Sequence, residues 1–263
     1  YKRIVRSFGE IIFYKMNSIF ITVRTGSSRL PKKALEEIGN RTTIEFLIDR
    51  LKLSSYADNI VLCTTTLDED DVLIEIAKKK GIKSFRGSQN DKLERWHGAA
   101  KKFGTEFFVT ADGDDTFCEP LLIDSAFKQY ERNESSFIEA EGIICGAFTN
   151  GISTKALEKV CSIKGTEETE MIWPYFKETN LFDVEQLEGI ENIYFRDDLR
   201  LTLDYKEDLE FMKSLYDRRN PSNSYLSILE IVTIIEECPE LMKINFFRHK
   251  EWAANQAKTT NLV

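Results

Sequence analysis

The sequence predicts an α/β fold with a mostly parallel sheet and helices on both faces. Three observations carry this. Strand-like and helix-like segments alternate four times within about 130 residues, the pattern of parallel strands joined by crossover helices. The strand-like segments are short apolar runs rich in β-branched residues, as buried strands should be. Several of these runs end in polar clusters, at the end of the sheet where such folds bind ligands.

Residues 1–17 (YKRIVRSFGEIIFYKMN) are basic and mixed and read as an N-terminal extension, with Met16 a candidate for the native start. Ile19 to Val23 is the first buried strand of the main domain, which spans 18–220. The loop Arg24 to Lys33 follows at once. Thr43 to Leu51 has helical spacing, and Asn59 to Thr66 is an apolar strand that turns into threonines. Asp68 to Asp71 opens a helix over Val72 to Lys80, with acids first and lysines last as the helix dipole favours, and Gly81 stops it. Ile82 to Phe85 is a short strand and Arg86-Gly87-Ser88 a turn. Asp91 to Phe103 forms a helix closed by Gly104. Glu106 to Ala111 is a strand that runs straight into Asp112-Gly113-Asp114-Asp115.

From Ser136 to Leu187 the alternation becomes irregular. Strand-like pieces lie in Phe137 to Phe148, a short helix in Thr154 to Cys161, and an amphipathic helix carrying Trp173 in Glu167 to Lys177. This 136–187 stretch reads as an inserted region that covers the site, mediates dimerisation, or does both. Leu199 to Asp204 alternates like a strand, and helices over Glu207 to Tyr216 and Leu226 to Glu237 follow. Residues 221–263 form a C-terminal helical extension whose polar tail, from Trp252 to Val263, is expected to be loose.

Composition narrows the function classes. A formal net charge of −8 argues against a surface that attracts nucleic acid throughout. No apolar run approaches the roughly 18 residues of a membrane helix. The five cysteines are scattered and form no C-x-x-C pair, which suits reduced thiols in a cytoplasmic protein. With only His97 and His249, a histidine-rich metal site is excluded.

Against the acidic background, Arg24, Arg29 and Lys33 place three cations in one loop. Gly26 lets backbone approach a ligand closely, and Ser27 and Ser28 offer hydroxyls and amide donors. Such a loop at a strand end suits a polyphosphate, although neither G-x-G-x-x-G nor G-x-x-x-x-G-K-[ST] is present. A solvated basic turn is the competing reading. Asp112, Asp114 and Asp115 also follow a buried strand. Clustered carboxylates repel unless a cation intervenes, so the cluster suggests a divalent metal such as Mg2+, with a solvated acidic loop as the alternative. Asp204 ends another predicted strand and is a candidate second metal contact, or else part of an acid-rich helix start. By fold logic the Arg24–Lys33 loop, Thr64 and Thr65, and the Asp112–Asp115 cluster should share one crevice. Arg95 is a weaker candidate for its wall, and His97 for a proton shuttle.

These segments resemble the cytidylyltransferases that make CMP-sugars, including CMP-Kdo and acylneuraminate synthetases, and above all the branch of spore-coat polysaccharide biosynthesis. Four blocks carry the resemblance, in the family's order: V-R-T-G-S-S-R-L-P-K-K-A-L (Val23 to Leu35), F-R-G-S-x-x-D-x-L-x-R (Phe85 to Arg95), A-D-G-D (Ala111 to Asp114) and L-T-L-D-Y-x-E-D-L (Leu201 to Leu209). The resemblance implies a Rossmann-like nucleotidyltransferase domain with a protruding dimerisation element. It implies transfer of CMP from CTP to a sugar, sugar acid or small phosphorylated acceptor, with Mg2+ and in a homodimer. Arg24, Arg29 and Lys33 would then meet the CTP phosphates, and Asp114 and Asp204 the magnesium. Gly26, Ser27, Ser28, Thr64, Thr65, Arg95 and Asp112 would line the nucleotide site. Four features depart from the family pattern. Lys32 replaces a glycine, Asp115-Thr116 replaces a pair that commonly ends in proline, Glu168-Thr169-Glu170-Met171 stands for Glu-x-Glu-His, and Gly146 occupies an expected acid's place. The last two bear on the acceptor. Asp112-Gly113-Asp114 is also the D-x-D of metal-dependent glycosyltransferases, and a non-catalytic nucleotide-binding homologue is the third alternative.

Overall fold

A computed structural model describes residues 4–7, 10–13, 15–27, 29–223 and 225–259, with side chains from Lys15 to Ala254 apart from positions 28 and 224. The expectation for the N-terminal extension falls partly outside these residues. Within them, β1 (Ile4–Ser7) and β2 (Glu10–Phe13) pair as an antiparallel hairpin ahead of β3 (Asn17–Thr22). A small hairpin of β4 (Glu37–Ile38) and β5 (Arg41–Thr42) leads into α1 (Thr43–Leu51). There Thr42 and Glu45 form a reciprocal capping box. Then come β6 (Asn59–Thr65), α2 (Asp71–Lys79), β7 (Lys83–Gly87), α3 (Lys92–Phe103) and β8 (Phe107–Asp112), each within a residue or two of expectation.

The second half supplies α4 (Pro120–Asn133), β9 (Phe137–Glu139), β10 (Asn150–Ser153), α5 (Thr154–Ile163), α6 (Trp173–Lys177) and β11 (Val184–Gln186). Helices α7 (Lys206–Arg218), α8 (Ile228–Glu237) and α9 (His249–Thr259) complete it. Seven strands form one sheet in the order β11-β9-β10-β8-β3-β6-β7, and only β10 runs against the rest. The mostly parallel α/β fold is therefore present, and the 136–187 stretch adds three strands to that same sheet.

The two-residue period explains why helices cover both faces. Ile19, Ile21, Leu62, Val109 and Ala111 point into a core made with α1, α2, α4, α7 and α8. Phe20, Val61, Cys63 and Phe108 point the other way, onto Leu93 and Trp96 of α3 and Leu157 of α5. Phe20 stacks on Phe108 at 4.4 Å between centroids, so truncating either to alanine should cost about 3–5 kcal/mol.

Three expectations need correction. Glu167 to Lys177 is not one helix, since only Trp173–Lys177 is helical. Thr169 instead donates its N–H to the Asn90 carbonyl and its hydroxyl to Asp91, and it accepts from Leu93 N–H, so this backbone is spent on the start of α3. Leu199 to Asp204 is extended but is not a sheet strand. One bridge joins Arg200 to Cys145, while Leu201 donates to Cys145 O (2.8 Å) and Leu203 to Asp114 O (2.9 Å). Both sets of its alternating side chains are buried, because it crosses the strand ends between core and crevice. Finally, Trp252 to Thr259, expected to be loose, belongs to the helix His249–Thr259, with Trp252 against Arg200, 5.2 Å from guanidinium carbon to ring centroid. Residues 260–263 lie outside the described residues.

Candidate active site

The sheet's order reverses between β3 and β8, whose neighbours diverge from there to the two edges. Open α/β sheets bind their ligands in a crevice at such a point, off the carboxyl ends of the strands. Gly113 makes the junction tight. Its N–H donates to Thr22 O at 2.8 Å, and a Cβ there would lie 2.7 Å from the Val23 side chain. Trp96 fixes the end of β3 by donating its indole N–H to the Thr22 hydroxyl at 2.8 Å.

The basic loop is closed by Lys32 N–H donating to Thr25 O, and Thr25 donates its N–H (2.7 Å) and hydroxyl (2.8 Å) to buried Asp70. Burial alone would raise the Asp70 carboxyl, but hydrogen bonds from Thr65 and Thr25 hold it below its ordinary value. Lys32 sits in the left-handed region at φ 56°, a conformation that favours glycine. Lys33 then turns inward, its carbonyl accepting from the Thr43 hydroxyl at 2.7 Å.

Lys33 Nζ lies 2.5 Å from Asp114 Oδ2 and 3.1 Å from Asp204 Oδ1. Arg29 also donates to Asp204 Oδ1. The predicted catalytic residues Lys33, Arg29, Asp114 and Asp204 are thus in one contact group. Burial disfavours the charged Lys33, yet Asp114 and Asp204 outweigh it and raise its pKa. Burial likewise pushes Asp204 up, and Lys33 and Arg29 more than reverse that.

Asp112, Asp114 and Asp115 lie together with carboxylate oxygens within 4.8 Å of one another. Burial, then repulsion by Asp114 and Asp112, raises Asp115 well above the usual range. Asp112 is raised by burial and by Asp114 despite Lys92, whose Nζ is 4.0 Å away. This surplus of hard oxygen donors over nearby cations fits a divalent ion such as Mg2+, whereas Asp204, the other predicted ligand, lies outside the cluster and reaches Asp114 through their shared partner Lys33.

Other predicted residues are placed differently. Arg24 is in the crevice, but its guanidinium reaches Gln89 O (3.2 Å) and Glu170 (3.3 Å) rather than the Lys33 group. Gly26 is exposed and Ser27 half-buried on the loop, while Ser28 lies outside the described residues. Thr64 and Thr65 are fully buried, and Thr65 donates to Asp70, so it braces the loop instead of lining an open pocket. Arg95 is 4% exposed and donates to Ser88 O, which makes it a support behind the wall. His97 sits half-buried on α3.

Sequence reasoning gave no role to Lys92, Arg200 or Asp208, and noted Glu170 only within the Glu168-Thr169-Glu170-Met171 departure. Glu170 is held ionised by Lys92, then by Arg24 and Arg95. Arg200, Asp204 and Asp208 recur every four residues, a spacing that could have flagged a network.

Comparison with known proteins bears on the family and the fold. The cytidylyltransferase family model matches residues 19–234. An uncharacterized protein of Methanocaldococcus jannaschii is 32% identical over 227 residues, covering 86% of this chain and 92% of that protein. The spore coat polysaccharide biosynthesis protein SpsF of Bacillus subtilis is 27% identical over 234 residues, covering 86% and 97%. A solved cytidylyltransferase structure from Leptospira borgpetersenii superposes with a TM-score of 0.79 at 28% identity, covering 87% of this chain and 97% of that one. A family match over most of the chain, on this fold, establishes that the chain is a nucleotidyltransferase belonging to the cytidylyltransferase family.

Proposed function

We propose that the protein transfers CMP from CTP to an oxygen of a sugar, sugar acid or small phosphorylated acceptor, releasing pyrophosphate. The single observation that carries this is the meeting of Lys33 and Arg29 with Asp114 and Asp204 at the point where strand order reverses. Cations on one side suit a triphosphate, and carboxylates on the other suit its counter-ion.

In this reading Lys33 and Arg29 exchange their carboxylate partners for phosphate oxygens when CTP arrives. They then neutralise the charge that grows on departing pyrophosphate. Arg24 meets the outer phosphates after release from Glu170. Asp114 and Asp204 would hold a Mg2+ ion, which supplies charge neutralisation across phosphate oxygens when bound. Gly113 and the buried threonines keep the two strand ends in register, so that positioning accounts for much of the rate.

The acceptor belongs to surface polysaccharide or glycoconjugate assembly, a reading supported by the name of the B. subtilis relative. Five free thiols suit a reducing cytoplasm, and a homodimer is the expected assembly, to be checked by sedimentation. The deciding experiment incubates the chain and Mg2+ with CTP, UTP, ATP or GTP and a panel of sugar acids, sugars and phosphorylated alcohols. Pyrophosphate release selective for CTP supports the proposal. Sugar transfer from a nucleotide-sugar donor, or CTP binding without turnover on any acceptor, overturns it.

A further inference from the structure

The two oxygens of Asp204 keep different company. Oδ1 faces Lys33 and Arg29 in the crevice, whereas Oδ2 accepts from Arg200 Nη2 at 3.0 Å. Arg200 is fully buried and is held in turn by Asp208, whose Oδ1 accepts from Arg200 Nε at 3.1 Å. Asp208 Oδ2 accepts the backbone N–H groups of Asp204 (2.9 Å) and Tyr205 (3.0 Å). One carboxylate therefore fixes both the backbone of Asp204 and the guanidinium that orients its side chain.

This arrangement is closed from outside the family-matched region, which ends at 234. Asn245, 1% exposed, donates from one amide nitrogen to Asp208 Oδ1 (2.9 Å) and to the Arg200 carbonyl (3.2 Å). Burying two carboxylates and a guanidinium costs desolvation that an apolar cluster would avoid, so stability alone is a poor account of it. What it does accomplish is to leave Asp204 a single orientation, with Oδ1 toward the crevice.

We infer that Asn245 is a positioning residue for the reaction, acting through Asp208 and Arg200 to aim Asp204. This rests on the reading that Asp204 holds the divalent cation. Groups that orient a metal ligand from behind are commonly worth about 10–100-fold in metal affinity or activity. Asn245→Leu keeps the volume and removes the donor. On the full chain, Mn2+ binding measured by electron paramagnetic resonance should weaken about tenfold. Turnover should fall by a similar factor while the KM for CTP moves less than about threefold, because Lys33 and Arg29 are untouched. Unchanged Mn2+ affinity and turnover in a folded Asn245→Leu protein would overturn the inference and leave the proposed function standing. Asp204→Asn distinguishes the two: wild-type Mn2+ affinity in that variant removes the reading on which both rest. Should Asn245→Leu not fold, Asn245→Ser is measured in the same way, and wild-type values there also overturn the inference.

Discussion

Lys33 Nζ and Asp204 Oδ1 are 3.1 Å apart although 171 positions separate them in the chain. The same ammonium touches Asp114, so one cation links the basic loop, the end of β8 and the segment that crosses it. Its removal has two separable effects.

Lys33→Ala should lower turnover by roughly 100- to 1000-fold, the usual loss when one preorganised charge is taken from a transition state. It also leaves the Asp114 and Asp204 carboxylates facing each other with less compensation. Melting temperature in chelator should therefore fall, and added Mg2+ should restore part of it. Steady-state kinetics and thermal melts with and without Mg2+ check both, and near-normal turnover would end the assignment.

The acid cluster makes stability depend on pH. Asp115 and Asp112 have raised values in the folded chain, so between the unfolded value, about 3.9, and the folded one, the native state binds more protons. Stability in chelator should decline as pH rises through that window. Asp204, held low by Lys33 and Arg29 against its burial, contributes stability present above the ordinary carboxylate value and lost as pH falls through its lowered one. Lys33, held high, keeps its contribution across the neutral range. Asp115→Asn should stabilise the metal-free protein by on the order of 1 kcal/mol, a rise of roughly 2–4 °C in Tm. A decline through that window that the variant leaves unchanged would refute this account.

Gly113→Ala forces a methyl to within 2.7 Å of Val23 where β3 and β8 meet. Overpacking of this kind costs about 1–3 kcal/mol. Because the strain falls between the loop of Lys33 and the strand end of Asp114, turnover should drop further than stability does. Chemical denaturation and kinetics on the same preparation make the comparison.

Lys32 has φ 56°, a conformation that costs an L-residue roughly 1–2 kcal/mol. Lys32→Gly should be neutral or slightly stabilising, as relief of strain offsets added chain entropy. Lys32→Val should destabilise by more than about 1 kcal/mol, because β-branched side chains tolerate this region worst. Urea midpoints of the three proteins order them, and valine matching lysine would contradict the argument.

The sequence was enough for the alternation of strands and helices, because periodicity and helix-terminal charges are local properties. It was also enough to bring the Arg24–Lys33 loop and the Asp112–Asp115 cluster to one side, since strand-end loops on a parallel sheet share one side; Asp204, whose segment is no sheet strand, was singled out by the resemblance. Glu167 to Ile172 and Leu199 to Asp204 misled because their local patterns fit a helix and a strand. Their backbone groups found partners elsewhere: Thr169 N–H on the Asn90 carbonyl just ahead of α3, and Leu201 and Leu203 N–H on the carbonyls of Cys145 and Asp114. Which oxygen of Asp204 faces Lys33, how Arg24 pairs with Glu170, and that Asn245 closes the network behind Asp204 were decided only in three dimensions. Hydrogen bonds and ion pairs act over about 3 Å, and no local pattern records which distant residues the fold will bring that close.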